Sequence, residues 1–219
     1  MNTSPEIKLH LLVISISTAI IFFIWIQFTD IIVKYPFLAI LSSGVISVGF
    51  YKLILNGCLI LFRKSKFFKK WLLGPYYMEG CWIGFFIGND NTPRFYYEIF
   101  EQTLSTLLIR GKSFKENEYH GSWTAIDVYI DIKVGRILYI YETDAINNTF
   151  VNPGLGKFDF ERKSPDKPPF RLIGFTSDLY NPNKLKSIEE KVSDDTTVLE
   201  IQDALKKSKE LYETYKNII

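Results

Sequence analysis

The chain has 219 residues, of which 47% are hydrophobic and 16% aromatic, and its formal net charge is +2. This length accommodates a membrane segment and one compact domain, and a charge so close to zero gives no support for DNA or RNA as a partner. Two cysteines and two histidines provide neither a disulfide framework nor a paired metal-ligand motif. Recognisable catalytic motifs are also missing, so we expect a binding protein without a metal, a cofactor or catalytic residues.

Two apolar runs, at residues 11–28 and 36–62, dominate the N-terminal part of the chain. The first run contains no charged residue, and as a helix rising about 1.5 Å per residue it spans roughly 27 Å, close to the thickness of a bilayer's hydrocarbon core. The second run contains Lys52 and Asn56 towards its end. We predict a transmembrane hairpin within residues 1–72, with helices at about 9–28 and 36–62.

A cleaved signal peptide and a buried helix of a soluble domain are the alternatives for the first run. A signal peptide has a basic start and small residues at its cleavage site, whereas this chain starts with MNTSPEIKLH and continues with Thr29 and Asp30 after the run. A buried soluble helix is seldom apolar on every face over such a length. Five basic residues follow the second run and, by the positive-inside rule, favour a cytosolic location for both termini: Arg63, Lys64, Lys66, Lys69 and Lys70.

Small residues recur every four positions in the second run, at Ala39, Ser43 and Ser47. Such a stripe allows a neighbouring helix to approach closely. The neighbour is either the first helix of the same hairpin or a helix of another protomer. Lys52 is a further candidate for an assembly surface, because ionisable residues in spans are often functional.

From residue 76 to about 192, apolar and polar residues alternate in short segments, which indicates β-strands. The spacing predicts a domain at residues 73–193 that forms either an antiparallel, lipocalin-like up-and-down barrel or a sandwich. An eight-stranded barrel can hold one small ligand in its lumen. The eight predicted strands are 77–86, 94–101, 104–112, 120–132, 136–143, 157–162, 170–176 and 184–192.

Charged residues indicate which face of each predicted strand points away from the lumen. In the fourth strand, Asp127 and Asp131 share one face, so the opposite face carries Ser122, Thr124, Ile126, Val128 and Ile130. In the second strand, Arg94 and Glu98 are expected outside, which places Phe95, Tyr97 and Ile99 inside. The same reasoning predicts that five residues of the fifth and sixth strands point inward: Ile137, Tyr139, Tyr141, Phe158 and Phe160.

The predicted interior mixes aromatic rings with hydroxyl groups, whereas a purely structural core is more often aliphatic. This composition favours a lumen that holds a ligand. The candidate ligand-binding residues on these faces are Tyr97, Ser122, Thr124, Tyr139 and Tyr141.

Two arginines, Arg110 and Arg171, occur in strands that are otherwise apolar. The planar guanidinium group is well suited to phosphate, so both are candidate ligand-binding residues. The alternative is that both face solvent, and for Arg110 the alternation supports that alternative if Leu107 and Ile109 point inward.

The last segment, residues 194–219, predicts an amphipathic helix. Thr197 and Glu200 have the spacing of a capping box. We expect the helix to lie against the barrel or to close one of its mouths, and a contact with another protomer or with the membrane is the alternative. Eight residues form its apolar face: Ile201, Ala204, Leu205, Ser208, Leu211, Tyr212, Tyr215 and Ile218.

Several short motifs follow the hairpin in a fixed order. They are GCW at 80–82, YHGSWTA at 119–125, LYIYET at 138–143, LIGFTSD at 172–178 and the turn NPN at 181–183. Over residues 11–192 the order of these pieces resembles the SMODS-associated two-transmembrane, β-strand-rich effectors of bacterial CBASS anti-phage systems, the CD-NTase-associated protein fifteen type. The C-terminal helix lies outside the resemblance.

The resemblance implies a cytosolic eight-stranded barrel that senses a 3′,3′-cyclic dinucleotide made by a partner nucleotidyltransferase, a CD-NTase, after infection. Ligand binding would drive homo-oligomerisation in the bacterial inner membrane, disrupt the lipid bilayer and cause abortive-infection cell death. A membrane-anchored lipocalin-like protein that binds a lipid or another apolar molecule is the alternative function.

Overall fold

The computed structural model describes residues 4–145, 152–180, 182–197 and 200–217, without the side chains of residues 31, 38–41 and 145. The chain divides into two compact units, residues 1–74 and residues 75–219. The first unit is helical, and the second contains the strands and one further helix.

The helical unit contains two long and two short helices. Ser4 begins the first helix by accepting a hydrogen bond from the Ile7 amide at 3.4 Å, and Pro5 follows at a position where its missing N–H is harmless. Ser65 ends the third helix and caps the fourth by accepting from the Phe68 amide at 3.2 Å. The helices are α1 (Pro5–Gln27), α2 (Thr29–Lys34), α3 (Pro36–Lys64) and α4 (Lys66–Leu73).

Two of these helices are long and apolar enough to cross a membrane. The spans are Pro5–Gln27, with a mean hydropathy of 2.4, and Ser42–Lys64, with a mean hydropathy of 1.9. Large apolar side chains on both remain exposed, such as Phe22 (68% exposed) and Val45 (73%). Because the core helix of a soluble protein buries such side chains, these features favour membrane association.

The two long helices pack against each other through a polar contact. His10 Nδ1 of α1 lies 2.6 Å from the Tyr51 hydroxyl of α3. Ser47 lies one turn before Tyr51 on the same face of α3 and is partly covered. Ser47, in the predicted stripe of small residues, therefore shares the face of α3 that carries this contact, whereas the Ala39 side chain lies outside the described part.

The second unit is a closed barrel of eight antiparallel strands in sequential order, sealed by the pairing of the first strand with the last. The predicted up-and-down barrel is therefore confirmed over the sandwich. Its strands are β1 (Gly80–Ile87), β2 (Pro93–Gln102), β3 (Leu107–Lys115), β4 (Glu118–Asp131), β5 (Arg136–Ala145), β6 (Asn152–Arg162), β7 (Pro169–Asp178) and β8 (Leu185–Ser193).

The predicted inward face of β4 is wrong in the first half of the strand. The register shifts between Ala125 and Asp127, which marks a β-bulge at Ile126. Beyond the bulge Val128 and Ile130 pack on the interior, as predicted, but before it Ala125 faces inward and Thr124 is exposed. One extra residue reverses the alternation, so the charges of Asp127 and Asp131 do not report on the residues before the bulge.

The predicted inward face of β2 is also wrong. Arg94 and Glu98 are 7% and 0% exposed and point into the barrel. Phe95, Tyr97 and Ile99 lie on the outer face, in an apolar cluster with the C-terminal helix. That helix covers the outer face of β2, which is why the apolar face of this strand is the outer one.

The C-terminal helix, α5 (Ile201–Tyr215), packs on the outside of β1 and β2, so the prediction that it lies against the barrel is confirmed. Ala204, Leu205 and Leu211 are buried there. Ser208 Oγ donates a hydrogen bond of 2.9 Å to the Tyr96 carbonyl oxygen. The predicted capping box is wrong, because the helix begins after Glu200 with no side-chain cap.

Candidate functional site

One end of the barrel is closed by apolar packing. Trp82 stacks on Phe100, with 5.2 Å between the ring centroids, and donates from Nε1 to the Met78 carbonyl oxygen at 2.9 Å. Gln102 accepts from the Met78 amide at 2.8 Å and donates to the Tyr76 carbonyl oxygen at 2.8 Å. These bonds fix the segment before β1 across this end, so, as far as the described residues show, the lumen opens towards the other one.

A cavity of about 380 Å³ occupies the open half of the lumen. Its volume is in the range of small-molecule sites. The mouth is formed where β1, β3, β5 and β7 end and where β2, β4, β6 and β8 begin. Five aromatic residues dominate its walls: Phe86, Tyr96, Trp123, Tyr139 and Tyr141.

Four of these rings lie flat against the barrel wall because each faces a glycine on the next strand. Tyr139 pairs with Gly156 and Tyr141 with Gly154, and a Cβ on either glycine would overlap the facing ring. Trp123 lies over Gly111 and Tyr96 over Gly84 in the same manner. The missing side chains leave room for the rings beside the wall, so the centre of the lumen stays open.

Three of these aromatic residues reach across their glycine to a carboxyl group on the strand beyond it. Trp123 Nε1 donates to Glu98 at 2.7 Å. The Tyr96 hydroxyl donates to Glu189 at 3.0 Å, and the Tyr141 hydroxyl donates to Asp178 at 2.8 Å. Each carboxyl group is therefore held in the lumen by an aromatic donor two strands away.

Glu98 and Glu189 form the floor of the cavity. Both are almost completely buried, at 0% and 1% exposure, and each has one oxygen, Oε2, without a hydrogen-bond partner among the described residues. Burial raises the pKa of the Glu98 carboxyl, and burial together with the charge of Glu98 raises the pKa of Glu189 well above its usual value. The two groups therefore favour a state that keeps a proton between them.

The mouth carries both charges. Arg94 and Lys115 both pair with Asp90, at 2.8 and 3.2 Å, and Asp178 lies on the same rim at the end of β7. The bond from Arg94 and those from Thr92 and Lys115 hold the pKa of Asp90 well below its usual value. His120 also borders the cavity, and burial lowers its pKa. Two cations at the mouth, above an acidic floor, suit a ligand with an anionic group at one end and N–H donors at the other.

The residues predicted from the sequence are divided between the two faces of the barrel. Tyr139 and Tyr141 line the cavity and Ser122 borders it, whereas Thr124 is exposed. Tyr97 lies on the outer face near Phe114, with 6.3 Å between the ring centroids.

Both arginines that were candidate ligand-binding residues point outward, which agrees with the alternative that they lie on the outer face of the barrel. Arg110 pairs with Glu101 and is half exposed. Arg171 pairs with Glu161 and Glu190 at 2.8 and 2.6 Å, and its guanidinium lies 4.7 Å from the ring centroid of Tyr215 in α5. The ion pairs with these carboxylates account for the outward orientation of both arginines, so no ligand is needed to explain it.

Most of the cavity residues were not predicted from the sequence. Glycines at alternate positions of neighbouring strands could have indicated several of them, since a glycine inside a strand marks a close approach. The missed residues include Arg94, Tyr96, Glu98, Trp123, Asp178 and Glu189.

No protein-family model and no curated protein matches this chain. Among solved structures, the chain is similar to a de novo designed fluorescence-activating β-barrel, at 13% sequence identity and a TM-score of 0.35, with 53% of this chain and 94% of that chain covered. A similarity this low carries no argument about the ligand.

Proposed function

We propose that this chain is a membrane-anchored sensor whose barrel lumen binds a 3′,3′-cyclic dinucleotide. The observation that carries the proposal is the cavity itself, which combines aromatic walls, two cations at the mouth and a floor of hydrogen-bond acceptors. Nucleobases stack on aromatic rings, phosphates bind to arginine and lysine, and carboxyl groups accept hydrogen bonds from base N–H groups. A lipid would leave the unpartnered carboxyl oxygens without donors, which argues against the lipocalin-like alternative.

The ligand's two halves occupy different parts of the site in this proposal. One base enters the cavity and stacks between Tyr139 and Trp123, and its phosphate lies at the mouth near Arg94 and Lys115. The second base remains at the mouth, where the opening faces solvent. Tyr141 and Ser122 border the path between the two halves.

The output of binding is assembly in the membrane rather than covalent chemistry. Two helices of sufficient length and hydropathy support a membrane location. The sequence resemblance to CBASS effectors supports an inner-membrane protein that oligomerises on ligand binding, disrupts the bilayer and kills the infected cell. It also implies a functional link to a CD-NTase that makes the ligand.

Isothermal titration calorimetry on the full-length protein in nanodiscs tests the sensing function. The ligands are a panel of 3′,3′-cyclic dinucleotides that covers purine and pyrimidine bases, with the linear dinucleotides as controls. We expect one or more cyclic members to bind with a 1:1 stoichiometry per chain. Heat from none of them, together with a lipid that co-purifies in equimolar amount, would establish the lipocalin-like alternative instead.

Thiol labelling tests the proposed topology. Asn117 lies in the exposed turn between β3 and β4, and both native cysteines, Cys58 and Cys81, are buried. An Asn117→Cys variant should react with a membrane-impermeant maleimide only after the inner membrane is permeabilised. Labelling in cells whose outer membrane alone is permeabilised would place the barrel on the periplasmic side and contradict a cytosolic sensor.

A further inference from the structure

The floor of the cavity joins two carboxyl groups from strands that are not neighbours. Glu98 of β2 and Glu189 of β8 flank β1, where Glu98 is opposite Trp82 and Glu189 is opposite Gly84. Without a side chain at Gly84, the ring of Tyr96 crosses β1 and bonds to Glu189. The glycine therefore allows two acidic side chains to approach each other across an intervening strand.

The protein supplies fewer donors than these two groups accept. Trp123 satisfies one oxygen of Glu98, and Tyr96 satisfies one oxygen of Glu189. Apart from the proton that the two carboxyl groups share, the Oε2 atoms of both have no donor among the described residues, although each residue is at least 99% buried. A buried acceptor without a donor is unfavourable, so the free energy of the site falls when two donors arrive together.

A second polar group lines the same cavity with its own unsatisfied atom. Arg94 is 93% buried, and its Nε has no hydrogen-bond partner among the residues that the structure describes, while its terminal nitrogens contact Asp90 and Thr92. Arg94 and Glu98 lie four residues apart on β2, about 13 Å at the usual rise of a strand. Tyr96 separates them, so a donor at the mouth and acceptors at the floor face one elongated, aromatic-walled space.

We infer that Glu98 and Glu189 are a subsite for the guanine edge of a nucleotide, in which the adjacent N1–H and N2–H₂ donors bond to the two unpartnered carboxyl oxygens. This inference rests on the proposed nucleotide-sensing function and deepens it by naming the base. Guanine presents two neighbouring donors on one edge, and carboxylates accept from such edges in a bidentate manner. The two guanine donors replace the proton that the carboxyl groups share in the empty site, and that proton is released to solvent.

The other bases fit this floor less well. Uracil places its single N–H between two carbonyl oxygens, which would face the carboxyl oxygens. Adenine combines an amino group with an acceptor nitrogen, and hypoxanthine, the base of inosine, retains N1–H but lacks the 2-amino group. A site with buried polar groups discriminates strongly against a ligand that leaves one of them unpaired.

Calorimetry on the full-length protein in nanodiscs provides the test, with three probes: 3′,3′-cyclic di-GMP, its inosine analogue 3′,3′-cyclic di-IMP, and 3′,3′-cyclic di-AMP. We expect cyclic di-GMP to bind at least tenfold more tightly than the other two. Glu98→Gln and Glu189→Gln should each reduce the ratio of cyclic di-GMP to cyclic di-IMP affinity by about tenfold, because a carboxyl oxygen becomes an amide. Glu190→Gln is the matched control, since Glu190 is the next residue of β8 but pairs with Arg171 on the outer face.

The two proposals fail in different ways. Equal affinity for cyclic di-GMP and cyclic di-IMP, or a preference that both glutamine variants retain, would overturn the guanine subsite and leave the sensing function in place. Tight binding of a cyclic dinucleotide without guanine would do the same. Absence of binding by every cyclic dinucleotide overturns both. Circular dichroism on each variant establishes that the barrel is folded, and the two glutamine variants are independent of each other.

Discussion

The Tyr141 hydroxyl donates a hydrogen bond of 2.8 Å to Asp178 although the two residues lie on strands that do not pair. Gly154 of β6 is opposite both Tyr141 of β5 and Asp178 of β7. The ring of Tyr141 crosses the glycine because no side chain stands in its way. The same arrangement of aromatic donor, glycine and carboxyl group joins Tyr96 to Glu189, and it is the unit from which the cavity is built.

Gly154→Ala is expected to close part of the cavity. The new methyl group would overlap the ring of Tyr141, which must then turn into the lumen and leave Asp178 without its donor. Overpacking of this kind costs about 1–3 kcal/mol of stability, and we expect ligand affinity to fall at least tenfold. Thermal unfolding and calorimetry measure the two effects. Leu155→Ala, an outward and partly exposed neighbour, is the control that should change neither appreciably.

The buried carboxyl pair predicts that the barrel loses stability as the pH rises. Since burial raises the pKa of Glu98 and Glu189 above their value in the unfolded chain, the folded state holds more protons at neutral pH. Stability is then full below about pH 4.5 and falls as the pH rises through the raised values, by up to about 1.4 kcal/mol per pH unit for each proton. The groups that face the pair are Tyr96 on β2, Trp123 on β4, Tyr139 on β5 and Ser187 on β8.

Unfolding temperatures between pH 6.5 and 8.5 isolate this effect. Burial lowers the pKa of His120, which adds stability as the pH rises, but only below its usual value of 6.5. Burial raises the pKa of Asp178, which acts in the same direction as the glutamates. We expect the unfolding temperature of the wild-type protein to fall across this interval and that of a Glu98→Gln, Glu189→Gln variant to fall less. Parallel curves would show that the pair is already ionised in the folded barrel.

The alternation of the sequence was sufficient to predict the barrel and part of its interior. In β5 and β6 the strands are regular, so charges at Arg136 and Asp159 correctly placed Tyr139 and Phe158 inside. The register that brings Gly154 opposite both Tyr141 and Asp178 depends on pairing between strands, which period-two patterns do not contain.

Two local features explain why the site residues on β2 and β4 were predicted wrongly. The bulge at Ile126 reverses the faces of β4. The charges of Asp127 and Asp131, which lie beyond the bulge, therefore gave the wrong face for Thr124. In β2, both faces are buried, one by the lumen and one by α5, so the assumption that charges point to solvent failed at Glu98. A buried carboxyl group is rare enough that sequence reasoning places it outside by default.

Variants on the two faces of the barrel should separate ligand binding from helix attachment. Tyr139→Leu removes a ring on which the base is proposed to stack, and stacking on such a ring contributes about 1–3 kcal/mol per base, so affinity should fall about fivefold or more. Arg171→Ala should leave affinity unchanged, because Arg171 contacts Glu190 and the ring of Tyr215 on the outer face. It should instead speed hydrogen exchange at the end of α5. Equal losses of affinity in both variants would contradict a ligand site in the lumen.

Lys52 and Asn56 are expected to act in assembly rather than in ligand binding. They lie four residues apart on one face of α3, and both are exposed on a helix that is predominantly apolar. Polar side chains on a membrane-spanning helix are costly against lipid, and contact with a helix of another protomer satisfies them. A Lys52→Leu, Asn56→Leu variant should therefore keep the ligand affinity of the wild type but lose ligand-dependent cross-linked oligomers and dye release from liposomes.

Val48→Leu, an exposed apolar position on the same helix, is the matched control. Dye release that persists in the double variant would mean that another face of the hairpin carries the assembly.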